Sequence, residues 1–124
     1  MNIVDSSGWL EYFADGPNAV HFSGPLQDRD SLVVSAISMF EVFRVVSRER
    51  SESAAFRAVA AMRGGRVIDV DPALAVAAAR LAASHGLPMA DSLILAAARA
   101  ADAVLWTQDA HFEGLPGVKF FPKH

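Results

Sequence analysis

Short apolar runs rich in β-branched residues alternate with longer segments of helical periodicity along the chain. Strands are predicted at residues 2–4, 31–34, 66–70, 103–106 and, more briefly, 118–121. Six helices are predicted. The first runs from Asp5 or Ser6 through Phe13, and a second, weaker one ends at about Gln27 with a break at Gly24-Pro25. The others run from Ser35 or Ser38 to about Arg50, from Ser51 to Met62, from Asp71 to near His85, and from Met89 or Ala90 onwards. This alternation predicts an α/β domain with a mostly parallel four- or five-stranded sheet flanked by helices.

The most apolar of these helices follows Leu87-Pro88 and carries one acid, Asp91, in its first turn. Pro88 stiffens the entry to the helix and disfavours helical backbone at Leu87. Leu95 and Ala98 follow Asp91 at i+4 and i+7, so they share its face of the helix. Asp91 is therefore expected at the rim of the core. A single acid there can simply complement the helix dipole, an effect of roughly 0.3 to 1 kcal/mol.

Length and composition limit the classes of protein that fit. A chain of 124 residues, 52% of them hydrophobic, is predicted to form one domain, residues 1–124, with one core. The absence of Cys excludes disulfides, thiolate metal sites and a cysteine nucleophile. With no signal-peptide pattern and no apolar run long enough to span a membrane, a cytoplasmic location is expected. A net charge of −3 argues against binding nucleic acid through bulk charge alone.

Four acids are predicted to meet at one edge of the sheet. Asp5 leaves the first strand, Asp109 leaves the fourth, and Glu41 and Asp91 lie early in helices that begin at the same edge. Clustered carboxylates repel one another unless a cation neutralises them. Ligands that are all oxygen favour Mg²⁺ or Mn²⁺, which also bind phosphate oxygens. The chemistry predicted for such a site is metal-dependent hydrolysis of a phosphodiester.

Each acid also has a purely structural interpretation. Asp5 can serve only as a helix N-cap, and Asp109 can serve only to turn the chain. Ser38-Met-Phe-Glu41 fits a capping box, worth about 0.5 to 2 kcal/mol of local stability. The functional interpretation therefore depends on the four acids acting together.

Four blocks of sequence, taken in order, resemble the PIN domain nucleases and among them the VapC-like toxins of bacterial toxin-antitoxin pairs. The resemblance spans nearly the whole chain. Its blocks are Ile3-Val-Asp5-Ser6, Ser38-Met-Phe-Glu41-Val, Asp91-Ser-Leu-Ile-Leu-Ala-Ala-Ala and Leu105-Trp-Thr107-Gln-Asp109-Ala-His-Phe112. Gly86-Leu-Pro-Met-Ala departs from the polar or aromatic residues more usual before the third acid, which affects the expected fit of substrate rather than the acid.

The resemblance implies a metal-dependent endoribonuclease, inhibited by a small antitoxin made alongside it and often homodimeric. It maps the family's catalytic acids onto Asp5, Glu41, Asp91 and Asp109, with Asp5, Asp91 and Asp109 as the metal ligands. The supporting hydroxyls map onto Ser6 and Thr107. The implied cofactor is Mg²⁺ or Mn²⁺, and the implied substrate is RNA.

Several other residues have two interpretations each. Arg44 and Arg48 share roughly the helix face of Glu41, where they can hold RNA phosphates or pair with Glu49 or Glu52. Glu113 is either a fifth acid of the site or, as we favour, a solvated surface residue. Trp9, Tyr12 and Phe13 are assigned to the core or, by the resemblance, to a surface near a partner chain. The four histidines, His21, His85, His111 and His124, show no metal-binding spacing and are assigned to solvent or core.

Two other functions compete with the nuclease. A non-catalytic PIN-like module that binds RNA or protein has no reason to keep all four acids. A receiver-type phospho-acceptor domain also holds Mg²⁺ on acids at strand ends. It requires a pair of adjacent acids after the first strand, where this chain has Asp5-Ser6-Ser7.

Overall fold

Five strands form a single sheet in the computed structural model, which describes residues 1–124. The strands are β1 (Asn2–Val4), β2 (Leu32–Ser35), β3 (Arg66–Ile68), β4 (Val104–Thr107) and β5 (Val118–Phe120). The helices are α1 (Ser6–Phe13), α2 (Ala19–Gln27), α3 (Ala36–Glu49), α4 (Glu52–Met62), α5 (Pro72–His85) and α6 (Met89–Ala100). Short 3-10 helices lie at Arg29–Ser31 and Ala110–Phe112. The predicted α/β class is confirmed, with five strands.

The strand order is β3-β2-β1-β4-β5, and every neighbouring pair is parallel. In the central strand, Ile3 lies opposite Val33 on one side and Leu105 on the other. β2 and then β3 lie on one side of β1, and β4 and then β5 lie on the other side. The strand order therefore reverses beside β1. Open α/β sheets bind ligands at such a reversal, beyond the carboxyl ends of the strands. A receiver domain has the order 2-1-3-4-5, so this topology excludes that alternative.

Each face of the sheet is covered by helices over its own apolar cluster. Ile3 packs on the face covered by α5 and α6, where seven consecutive residues from Ser92 to Ala98 are buried. Val4 packs on the opposite face with Phe22 of α2 and Val42 of α3. Successive residues of a strand point to opposite faces, which is why Ile3 and Val4 belong to different clusters. The expectation that the Asp91 helix lies in the core is confirmed.

Side-chain caps begin four of the helices. Asp5, Ser35, Ser51 and Asp71 each accept a hydrogen bond from a backbone N–H in the first turn of α1, α3, α4 and α5, respectively. Gly86 ends α5 at φ 65°, in the left-handed region that glycine adopts without strain.

The capping-box interpretation of Ser38 and Glu41 is wrong. The helix begins earlier, because β2 ends at Ser35 and the Ser35 hydroxyl accepts from the backbone N–H of Ile37 at 3.3 Å. Ser38 is consequently inside α3, fully buried, with its hydroxyl unpartnered. The Glu41 side chain therefore does not cap this helix.

The predicted break at Gly24-Pro25 does not occur, because α2 continues to Gln27 with Pro25 inside it. Proline lacks an N–H and removes one hydrogen bond of the helix. Phe22, Pro25 and Leu26 are all buried, so packing against the core offsets that loss.

No single helix is long and apolar enough to cross a membrane. α5 and α6 reach the required length and composition only as a pair, and they are bent by 114° relative to one another.

Candidate functional site

The carboxyl ends of β1, β2 and β4 carry the predicted site. Asp5 follows β1 directly, and Asp109 lies two residues beyond the end of β4. Glu41 is the sixth residue of α3, which follows β2, and Asp91 is the third residue of α6. The four acids therefore lie at one edge of the sheet, and the hydrogen bonds and charge effects described below connect them.

Asp5 is the most enclosed of the four, with only 2% of its surface exposed. Its Oδ1 accepts from the Ser7 hydroxyl at 2.7 Å and from the Gly8 backbone N–H at 3.0 Å. Its Oδ2 accepts from the Thr107 hydroxyl at 2.7 Å. Strands β1 and β4 are thus tied together at their carboxyl ends by one carboxylate.

Burial raises the pKa of Asp5 from 3.8 to about 6. Hydrogen bonds from Thr107, Ser7 and the Gly8 backbone act in the opposite direction, because they stabilise the carboxylate. The negative charge of Asp109 adds to the rise. The ionised form of Asp5 is therefore destabilised here, which is the condition that a bound cation relieves.

Two supporting hydroxyls hold the neighbouring acids. The Ser6 hydroxyl donates to Glu41 Oε1 at 2.6 Å, which joins the start of α1 to α3. The Thr107 hydroxyl, while donating to Asp5, accepts from the backbone N–H of Asp109 at 2.9 Å. Ser6 and Thr107 thus contact the acids directly, although the roles that the sequence predicts for them stay predictions.

Asp91 and Asp109 share a neighbour, His111. The His111 Nδ1 lies 2.9 Å from Asp91 Oδ2 and 3.2 Å from Asp109 Oδ1. Partial burial raises the pKa of Asp91, the charges of Asp109 and Glu41 raise it further, and His111 lowers it. The charge of Asp109 and the hydrogen bond to Asp91 raise the pKa of His111 in turn.

The donor set fits a hard divalent cation. Ligand atoms of Asp91, Asp109 and His111 all lie within 4.8 Å of one another. Asp109 raises the pKa of both Asp5 and Asp91, as expected for carboxylates that share one space. No Lys or Arg lies within salt-bridge distance of any acid in the chain, so the negative charge of the cluster has no counterion other than His111. Oxygen donors with uncompensated charge are the ligands that Mg²⁺ and Mn²⁺ prefer.

Sequence reasoning missed two residues of the site. Ser7 adds a third hydrogen bond to Asp5, and its hydroxyl also accepts from the Gln108 backbone N–H at 3.3 Å. The sequence predicts His111 to lie in solvent or core; its side chain is 57% exposed, and it also contacts two of the acids. The signal in the sequence for this contact is the short spacing from Asp109 to His111, which differs from the helical spacing of two histidines that is typical of metal sites.

The other predicted residues form no salt bridge with the acids. Arg44 and Arg48 are exposed on α3 and form no salt bridge, so their predicted pairing with Glu49 or Glu52 is wrong. Glu113 is exposed beyond the 3-10 helix. Trp9 is 2% exposed and belongs to the core, which excludes a surface role for it.

A groove of about 610 Å³ runs between α1, α3 and α4. Its apolar lining includes Leu10, Phe13 and Val45, and Arg50 and Arg57 are among its charged residues. Ser7 and Gln108 also line it. Ser7, which donates to Asp5, is the residue through which the groove adjoins the site.

A family model described as "PIN domain" matches residues 3–118 of the chain. No curated protein sequence matches it.

Several solved structures share the fold. A toxin-antitoxin complex from Klebsiella pneumoniae has a chain with 22% identity and a TM-score of 0.80, with 96% of each chain covered. The VapC20 toxin of Mycobacterium tuberculosis, described as cleaving the sarcin-ricin loop, has 20% identity and a TM-score of 0.75, with 94% of this chain and 95% of that chain covered. A DNA-bound VapBC from Salmonella typhimurium has 15% identity and a TM-score of 0.73, with 98% of each chain covered.

Proposed function

The chain belongs to the PIN domain family, and from that membership we propose that it is a metal-dependent endoribonuclease, the toxin of a VapBC-type pair. The observation that carries the proposal is the meeting of four carboxylates with no Lys or Arg counterion at the carboxyl edge of the sheet. A protein that only binds RNA would gain from the opposite charge at this position. The fold similarity to VapC toxins adds support at the level of architecture.

Asp5, Asp91 and Asp109 are the residues that would hold Mg²⁺ or Mn²⁺, with Glu41 beside them. A bound cation of this kind activates water and stabilises negative charge on the leaving oxygen. Within the protein, Thr107 and Ser7 fix both oxygens of Asp5, and Ser6 fixes one oxygen of Glu41. The second Glu41 oxygen has no hydrogen-bond donor within the protein, so it would be available to accept a proton from the attacking water.

The exposed side of α3 offers a place for the RNA strand. Phe40, which is 60% exposed, Arg44 and Arg48 follow one another at i, i+4 and i+8, so they form a stripe next to Glu41. Each step of four residues advances about 6 Å along a helix. Arginines without acidic partners can bind successive phosphates, and an exposed aromatic ring can stack an unpaired base.

The groove between α1, α3 and α4 is our proposed site for the antitoxin. Its lining combines apolar side chains with charged ones of both signs, which suits an amphipathic helix of a partner protein. Ser7 lines the groove and donates to Asp5, so a partner that moves Ser7 would alter the site, which would couple binding to inhibition. The chain is further proposed to form a homodimer, as the resemblance to VapC toxins implies, and sedimentation of the purified protein tests this.

The deciding experiment is cleavage of a structured RNA pool by the purified chain with Mn²⁺, with Mg²⁺ and with chelator. Asp91→Asn should abolish cutting and Glu113→Gln should retain it, because Glu113 is exposed beyond the 3-10 helix. Equal inactivity of wild type and Asp91→Asn on a broad RNA panel, with RNA binding intact, would favour the non-catalytic binding module.

A further inference from the structure

His111 is held beside the acids by its own segment of chain. Asp109 is the N-cap of the 3-10 helix Ala110–Phe112, and its Oδ1 accepts from the backbone N–H of His111 at 2.9 Å. The next residue, Phe112, is fully buried in the core. The position of His111 relative to Asp109 is therefore fixed by backbone and core contacts, even though its ring is more than half exposed.

The ring nitrogen of His111 stands where a metal ligand would stand. Its Nδ1 is 2.9 Å from Asp91 Oδ2 and 3.2 Å from Asp109 Oδ1. Adjacent ligands of an octahedral ion with bonds near 2.1 Å are about 3.0 Å apart, and opposite ones about 4.2 Å apart. The two distances from Nδ1 match adjacent positions around one ion, and the ligand atoms of Asp91, Asp109 and His111 all lie within 4.8 Å of one another.

We propose that His111 Nδ1 is a ligand of the divalent cation together with Asp91 and Asp109, and that this nitrogen makes the site select Mn²⁺ over Mg²⁺. The proposal rests on the metal site of the proposed function and adds a residue and a selectivity to it. Mg²⁺ binds oxygen and gives up its waters reluctantly. Imidazole suits transition metals, whose affinity for nitrogen exceeds that of Mg²⁺.

A hydrogen-bonding role alone predicts something different. If His111 only orients Asp91, its loss weakens Mn²⁺ and Mg²⁺ binding alike, because both ions use the same oxygen. If His111 coordinates the ion, its loss weakens Mn²⁺ much more than Mg²⁺. The ratio of the two affinities therefore separates ligation from positioning.

The test uses the full chain loaded with Mn²⁺ or Mg²⁺ alone, without RNA. Pulsed EPR of the Mn²⁺ protein should show coupling to an imidazole nitrogen, lost in His111→Gln and kept in the control His85→Gln, since His85 is exposed at the end of α5. In calorimetric titrations His111→Gln should bind Mn²⁺ about tenfold or more weakly, whereas its Mg²⁺ affinity should stay within about threefold. Circular dichroism confirms that each variant is folded.

Mn²⁺ binding without nitrogen coupling, or an equal loss of both ions in His111→Gln, would overturn the inference. That result leaves the proposed nuclease intact as long as Asp91→Asn abolishes Mn²⁺ binding. If wild type and Asp91→Asn bind equally little metal, the metal site itself fails and the inference fails with it.

Discussion

At the scale of single residues, the buried Asp5 makes the free energy of unfolding depend on pH. The raised pKa of its buried carboxyl means that between pH 3.8 and about 6 the folded protein binds more protons at Asp5 than the unfolded chain does. The free energy of unfolding contributed by this residue is therefore greatest below pH 3.8. It is lost as pH rises through about 6.

Asp5→Asn should remove this pH dependence in metal-free protein. Asn keeps an acceptor for the Gly8 N–H and is a good N-cap, but it has no charge to bury. We expect the variant to gain stability over wild type as pH rises from 4 to 7, by up to about 3 kcal/mol at 1.36 kcal/mol per pKa unit. Urea unfolding in chelator at several pH values measures it, and a stability difference that does not change with pH would contradict the assignment.

At the scale of elements, α1 owes its position to the absence of a side chain at Gly8. A Cβ there would collide with Val4 of β1 and approach Phe22 of α2 to 2.9 Å. Gly8→Ala is expected to destabilise the protein by up to about 2 kcal/mol, because overpacking costs about 1 to 3 kcal/mol and the gain in helix propensity is about 1 kcal/mol. Thermal unfolding measures the loss. In a double-mutant cycle, Val4→Ala should recover part of it, and strict additivity would refute the collision.

The stripe on α3 makes a prediction about salt. With Asp91→Asn as a non-cleaving background, replacing Arg44 or Arg48 by Gln should make the plot of log affinity for single-stranded RNA against log salt less steep by about 0.7 per arginine. Each arginine that contacts a phosphate releases counterions, and Gln cannot. Arg80→Gln on α5, an exposed arginine on another helix, is the matched control. An equal reduction of the slope in all three variants would show that these arginines attract RNA only through general charge and do not bind successive phosphates.

At the scale of the whole molecule, a metal ion bound at the proposed site would couple its binding to folding. A ligand at about 100 times its Kd stabilises the folded state by about 2.7 kcal/mol. Since a domain of 124 residues unfolds with roughly 2.1 cal/mol/K per residue, saturating Mn²⁺ should raise Tm by about 10 °C. The shift should vanish in Asp91→Asn and with chelator. An equal shift in wild type and Asp91→Asn would place the bound ion elsewhere.

Local pattern determined most of the architecture. β-Branched runs, capping residues such as Asp71 and the turn at Gly86 act over a few residues, so they can be recognised in the sequence. The parallel arrangement followed from the alternation of strands and helices, and that arrangement brings the loops after β1 and β4 to one edge. The expected meeting of the acids came from this topology together with the resemblance.

Tertiary structure decided the details that local pattern leaves open. Ser35 rather than Ser38 begins α3, because β2 ends there, and Pro25 stays inside α2, because its neighbours are buried. The contact between His111 and Asp91 joins residues twenty apart in sequence, and the bond from Thr107 to Asp5 joins residues over a hundred apart. Such contacts depend on how the chain closes on itself. The sequence by itself therefore determined the elements and the acids that end them, whereas only the packed fold decided which side chains complete the site.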